Sequence, residues 1–178
     1  MDMEKLRNAV KKHRHEVPHL CSFISRQAVE FFDCDPMGVV WHGNYLKYME
    51  KARGDFLRAI RFDYRSIGEH GVLFPVVETN TRYMKSLHLL DVFDVYIYVD
   101  EYEVELVHSF EIKHKGVLCA YGRSVQVCVD KNNGDLRFFM PVDFQNAVKE
   151  YIDRGKVENS MSIYAENQSI PEPPEIKG

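Results

Sequence analysis

The residues predict an α+β domain in which a curved antiparallel β-sheet wraps one long central α-helix. Three observations carry this expectation. Tyr45, Tyr48, Met49, Ala52, Phe56 and Ile60 recur at helical spacing, so they share one face of a helix about four turns long. After residue 72 the hydrophobic period changes to two. Several such segments then follow one another through short connections, which favours an antiparallel meander. A helix so apolar along one face must be covered, and a curved sheet is the economical cover.

Taken in order, residues 2–15 mix charged and apolar side chains, with Leu6 and Val10 four apart. They predict a short surface helix that Pro18 ends. Ser22 to Phe32 is rich in aromatic and branched residues and predicts a strand. Asp33 to Gly43 is punctuated by proline and glycine and predicts a loop. Asn44 is the expected N-cap of the long helix, with Lys47, Lys51, Asp55 and Arg58 on its other faces.

Leu73 to Tyr83 is a further strand candidate. Val95, Ile97 and Val99 alternate with polar or aromatic neighbours, as do Val104, Leu106, Phe110 and Ile112. Tyr121, Val125, Val127 and Val129 form the next alternating set. Asn133-Gly134 predicts a tight turn with a short return strand through Phe139. Pro141 opens a final helix that runs through Tyr151. The expected organisation is an N-terminal helical extension at 1–18, one domain at 19–157, and a flexible polar tail at 158–178 with three prolines.

With 178 residues, the chain suits one sizeable domain and can bury a real core. Its net charge of −4 and pI near 6.1 disfavour a nucleic-acid partner. Four cysteines without a CxxC pair read as reduced thiols. Neither a secretory h-region nor a run of membrane-spanning length stands out, so the expected location is cytoplasmic. GxSxG, P-loop and GxGxxG motifs are absent, which gives serine hydrolase, nucleotide hydrolase and Rossmann readings little support.

The densest group of reactive side chains lies in the loop Asp33 to His42, between a strand and the start of the long helix. Unpaired N–H groups at a helix N-terminus favour developing negative charge. A carboxylate just upstream suits acyl transfer, with a base or nucleophile beside an electrophilic aid. Read alone, Asp35 is more simply a turn or capping acid.

The stretch Phe32-Asp33-Cys34-Asp35-Pro36-Met37-Gly38-Val39-Val40-Trp41-His42-Gly43-Asn44-Tyr45-Leu46, continuing to Glu50-Lys51-Ala52-Arg53, resembles the signature of the 4-hydroxybenzoyl-CoA thioesterase family. It is equally similar to the small bacterial acyl-CoA thioesterases grouped with that family. The element order from about residue 20 to 140 also resembles the family's hotdog fold.

This resemblance implies an acyl-CoA thioesterase that releases free acid and CoA. Asp35 matches the catalytic aspartate, attacking the thioester carbonyl or deprotonating a water that does. His42 matches a position whose backbone N–H polarises that carbonyl. Gly38, Val39, Val40, Trp41, Gly43, Asn44 and Tyr45 are the implied substrate-binding residues. No metal or other cofactor is implied. The implied functional unit is a homodimer or homotetramer with sites at subunit interfaces. Met37 departs from the small residue often found there, so aromatic-acyl specificity is not carried over.

Other readings compete. The thioester could be carried by an acyl carrier protein, which would need a basic docking patch. A hotdog dehydratase would pair a His and an acid at different positions. A non-catalytic acyl-CoA-binding protein would not need Asp35.

Neighbouring residues have simpler roles. Asp33 is expected to close the turn, and Glu50 to pair with Arg53 three residues on. Cys34 lacks an evident His base. His13, His15 and His19 come without a metal-site motif. Arg82, Lys85, Lys113, Lys115 and Arg123 are candidates for holding CoA phosphates, although each is more simply a solvated charge.

Overall fold

The computed structural model describes residues 19–155 and 159–160. The predicted N-terminal helix and most of the predicted tail lie outside the described residues. The strands are β1 (Cys21–Ala28), β2 (Val72–Leu73), β3 (Val76–Tyr83), β4 (Val92–Glu101), β5 (Leu106–His114), β6 (Val117–Gln126), β7 (Cys128–Asp130), β8 (Leu136–Arg137) and β9 (Asn159–Ser160). The helices are α1 (Asn44–Ala59), α2 (Tyr64–Glu69) and α3 (Val142–Asp153).

Six strands form the main sheet in the order β3-β6-β5-β4-β1-β9. All its pairings are antiparallel except β1 with β9, where Ile24 and Ser25 lie beside Asn159 and Ser160. Helix α1 packs centrally against this sheet, the hotdog arrangement. A second sheet, β2-β7-β8, was not foreseen. It arises because the chain leaves the main sheet at Val127, whose N–H bonds to the Pro75 carbonyl.

The core joins the apolar face of α1 to the inner face of the sheet. Tyr45, Tyr48, Met49, Ala52 and Phe56 are buried against Phe23, Phe93, Val95, Ile97, Phe110 and Ile112. Helix α3 closes one end with Phe144 against Phe62 and Phe74, and with Tyr151 against Phe56. The Tyr151 hydroxyl also donates to the Ser22 carbonyl at 3.0 Å.

Several expectations need correction. The first strand ends at Ala28 rather than Phe32. Phe31–Asp33 form a single 3-10 turn, because the Asp33 carboxylate accepts the Glu30 N–H at 3.0 Å and turns the chain outward. Phe31 and Phe32 are consequently exposed. Asn44 is the first helical residue and Gly43 the N-cap. The Asn44 amide points inward and donates to the Asp33 carbonyl at 2.9 Å.

Asp55, expected on an outer face of α1, is buried. It accepts from the Ser25 hydroxyl at 2.5 Å and pairs with Arg58, tying helix to sheet. Helix α2 was also missed, although Asp63 caps it by accepting from Arg65 N and Ser66 N. Strand β8 stops at Arg137, short of Phe139.

Strand β6 turns opposite to its predicted phase. Its helix-facing residues are Ala120, Gly122, Ser124 and Gln126, set opposite Ile112, Phe110, His108 and Leu106 of β5. At Gly122 a side chain is excluded because Met49 of α1 and the β3 backbone come close. A Cβ added at Gly122 would lie 2.6 Å from the Asn80 carbonyl oxygen and 2.8 Å from Met49 Cε. Gly122→Ala is therefore expected to cost about 1–3 kcal/mol through overpacking, measurable as a lower urea midpoint at unchanged slope.

Candidate active site

The loop between β1 and α1 is folded back on itself. Asp35 N–H donates to the Val39 carbonyl at 2.8 Å, and Gly38 N–H to the Asp35 carbonyl at 2.9 Å. Gly38 has φ of +77°, a left-handed conformation that closes this turn without Cβ strain. The Asp35 carboxylate accepts Met37 N–H at 2.8 Å through Oδ1. One carboxylate oxygen is thus held by the turn, which fixes where the acid sits.

Beneath the turn, Asp33 is buried, and its carbonyl accepts from both Trp41 N–H and the Asn44 amide at 2.9 Å. Asn44 N–H in turn donates to the Trp41 carbonyl at 2.9 Å. These bonds pin the chain on both sides of His42. Among the described residues, the N–H groups of His42 and Gly43 donate no backbone hydrogen bond. They lie at the N-terminal end of a 16-residue helix, where partial positive charge collects.

A cleft of about 350 Å³ opens at this point. Asp35, Val39, Val40, His42 and Tyr45 line it together with Met37. Tyr83, Met84, Lys85 and Ser86 complete its wall. That second segment is the end of β3 and the three residues after it, and Lys85 is the only one of them singled out from sequence as a candidate functional residue. It is held to the loop by Val40 N–H, which donates to the Leu87 carbonyl at 2.9 Å, and by a bridge between Val39 and His88. No motif marks these residues, because pairing across some 45 positions brings them in.

Gly38, Trp41, Gly43 and Asn44 are not among the residues lining the cleft. Asn44 is buried beneath it, whereas the Trp41 ring lies 4.9 Å from the His42 ring. Gly43 allows that placement, since a Cβ there would come within 2.1 Å of the indole. Gly43→Ala is expected to push Trp41 aside and shift the helix entrance. A misplacement approaching 1 Å there can cost roughly 10²-fold, read as a fall in kcat/KM with little change in melting temperature.

Of the cationic candidates, only Lys85 lines this cleft. Lys113 pairs with Glu111 and lies over the Tyr96 ring, and Arg123 pairs with Glu78. Glu50 pairs with Arg53 and also accepts from Tyr64. Burial, and behind it the flanking carboxylates of Asp33 and Asp35, pushes the Cys34 thiol up, which keeps it protonated. All four cysteines are free thiols. His19 bonds to Asp100 at 2.6 Å and stacks on Tyr98, while His13 and His15 lie outside the described residues. Among the described residues no cluster of three or more His, Cys, Asp or Glu side chains is arranged for a metal. No helix among them is long and apolar enough to cross a membrane.

A sheet wrapped around one central helix is the architecture shared with known proteins. The family model of the thioesterase-like superfamily matches residues 29–176. The chain belongs to this superfamily. It is 31% identical over 132 residues to a Bacillus subtilis protein named "Putative acyl-CoA thioesterase YneP", covering 72% of this chain and 92% of that one. It is 28% identical over 109 residues to the 4-hydroxybenzoyl-CoA thioesterase of a Pseudomonas species, covering 60% and 75%. The crystal structure of a DHNA-CoA thioesterase from Staphylococcus aureus superposes with a TM-score of 0.67 at 26% identity, covering 77% of this chain and 97% of that one.

Proposed function

We propose that the protein is an acyl-CoA thioesterase that hydrolyses an acyl-CoA thioester to free acid and CoA, using Asp35 as nucleophile or general base. The observation that carries this reading is the convergence of Asp35 and His42 on one cleft, at a helix entrance with unbonded N–H groups. The names of the relatives support the substrate class.

The chemistry follows from the donor set. As a base, Asp35 takes a proton from water, and the hydroxide adds to the thioester carbonyl. As a nucleophile, its oxygen adds to that carbonyl directly. In both cases the new oxyanion lies toward the His42 N–H, where one preorganised donor contributes about 10²–10³-fold. Collapse expels the CoA thiolate, a leaving group good enough to need no dedicated acid. In the nucleophilic course, water then hydrolyses the acyl-aspartyl anhydride. Met37, Val39, Val40, Tyr45, Tyr83 and Met84 offer apolar surface to the acyl group, and Lys85 offers charge to a phosphate.

The working unit in this reading is at least a homodimer. Among the described residues, strand β3 is an edge of the sheet, paired only with β6, and none of its eight residues is buried. A long edge left bare is prone to strand pairing. Sedimentation velocity is expected to report a dimer or a multiple of it.

The deciding assay follows thiol release from acyl-CoAs of varied chain length and aromaticity, with acyl carrier protein thioesters alongside. Hydrolysis of at least one CoA thioester, preferred over its carrier-protein counterpart, is the expected result. A wild-type protein that binds acyl-CoA yet hydrolyses none of them would overturn the enzyme reading.

A further inference from the structure

We propose that Tyr83 is a positioning residue for this reaction, its hydroxyl holding the backbone of His42 at the helix entrance. The proposal rests on the thioesterase reading above and adds to it a residue that no motif suggested. Tyr83 is the last residue of β3, on the opposite side of the cleft from the Asp35 turn. Its hydroxyl donates to the His42 carbonyl at 3.1 Å. In the reading above the His42 N–H polarises the thioester oxygen. Tyr83 bonds to the carbonyl of the same residue, whose peptide plane is shared with the Gly43 N–H, and so fixes the backbone on the C-terminal side of that donor.

Tyr83 is itself firmly placed. Its backbone pairs with Ala120 of β6, and the next two N–H groups, of Met84 and Lys85, donate to the Cys119 carbonyl at 2.7 and 3.0 Å. Its ring meets the Tyr45 ring edge-on, with centroids 5.1 Å apart and planes at 72°. The His42 ring lies edge-on to it at 6.4 Å.

Tyr45 makes the reverse connection. It projects from α1, and its hydroxyl accepts the Leu87 N–H at 3.2 Å, just past the segment that lines the cleft. The two tyrosines thus form a reciprocal clasp, β3 holding the helix entrance and the helix holding the segment after β3. Neighbouring bonds leave a gap that this clasp fills. Trp41 N–H and the Asn44 side chain are tied to Asp33, and Asn44 N–H is tied to Trp41. The His42 carbonyl between them is tied by Tyr83.

A hydroxyl that held the substrate would affect binding, whereas one that holds the oxyanion donor affects the chemical step. Tyr83→Phe separates the two, because it keeps the ring packing and removes only the hydroxyl. Loss of one neutral hydrogen bond is expected to lower kcat about three- to tenfold, with KM and melting temperature unchanged. Amide hydrogen exchange supplies a readout independent of turnover. The Trp41 and Asn44 amides are expected to exchange faster by a similar factor in Tyr83→Phe, while amides of the central strands β4 and β5 stay as in wild type. Equal exchange at Trp41 and Asn44 in the two proteins would overturn the proposal whatever the activity. A rise in KM at constant kcat would also overturn it, assigning the Tyr83 hydroxyl, and not only its ring, to substrate contact. Inactivity of the wild-type protein toward every acyl-CoA would instead remove the thioesterase reading, and the exchange arm would still decide whether Tyr83 anchors His42.

Discussion

Asp35→Asn is expected to lower kcat for acyl-CoA hydrolysis by about 10²–10⁴-fold, the contribution of a positioned base. The substitution isolates chemistry from folding. In the native turn, Asp35 Oδ1 accepts the Met37 N–H at 2.8 Å. The amide oxygen of asparagine makes the same bond, so the Asp35–Gly38 turn should keep its shape. What disappears is the negative charge facing the cleft, and with it either the base or the nucleophile. KM should move little, since the wall from Tyr83 to Ser86 and the apolar lining are untouched. A variant retaining wild-type kcat would remove Asp35 from the mechanism. In the wild-type protein, a single turnover in ¹⁸O-water refines the assignment: label recovered in the Asp35 side chain requires covalent attack by its carboxylate.

The second large effect concerns acid stability and centres on His108, on the inner face of β5. Its side chain is fully buried, and neither ring nitrogen has a hydrogen-bond partner among the described residues. The ring lies edge-on to Phe56 of α1, tilted against Phe110, and across from Ser124 of β6. Burial, with the Arg53 guanidinium adding to it, pushes the His108 pKa down to about 3 from an ordinary 6.5. In the unfolded chain this histidine binds a proton below about pH 6.5, whereas the folded chain refuses it until about pH 3. Stability is therefore complete above about pH 6.5 and falls with acidification by about 1.4 kcal/mol per pH unit, roughly 3 kcal/mol by pH 4.

His108→Leu removes the titration without leaving a buried polar orphan, since leucine fits the apolar contacts with Phe56 and Phe110. Near pH 7 it is expected to be neutral or stabilising, because the unpaired ring nitrogens gain nothing in the folded state. At pH 4.5 it should melt well above the wild type. Urea denaturation of both proteins from pH 7 to pH 4 measures the difference, which cancels the carboxylates common to both. Parallel stability curves would refute the assignment to His108.

Much of the fold and of the site is legible in local sequence. The spacing of Tyr45, Tyr48, Met49, Ala52 and Phe56 dictates the buried face of α1, because a 3.6-residue period permits one apolar stripe. The alternation from Val95 to Val99 does the same for β4. The motif from Asp33 to Asn44 marks the cleft, as its turn and helix start are built from bonds between residues at most eleven apart.

What stayed hidden depends on partners distant in sequence. β6 reads as a strand with Val125 on its apolar face, but the close approach of Met49 makes Gly122 and Ser124 the inward residues. Asp55 looks like a surface charge until Ser25, thirty residues earlier, donates to it. Asn44 looks like a cap until the Asp33 carbonyl claims its amide.

The acid turn before a helix N-terminus was determined by the sequence alone, because the bonds that shape Asp35 and Gly38 are local and survive in any fold that keeps the loop. The opposite wall of the cleft was decided only by tertiary structure. Tyr83, Met84, Lys85 and Ser86 reach it through the pairing of β3 with β6 and of Leu87 with Val40. Such contacts depend on register across the sheet rather than on neighbouring residues, and a one-residue slip of β3 would turn Tyr83 to the other face.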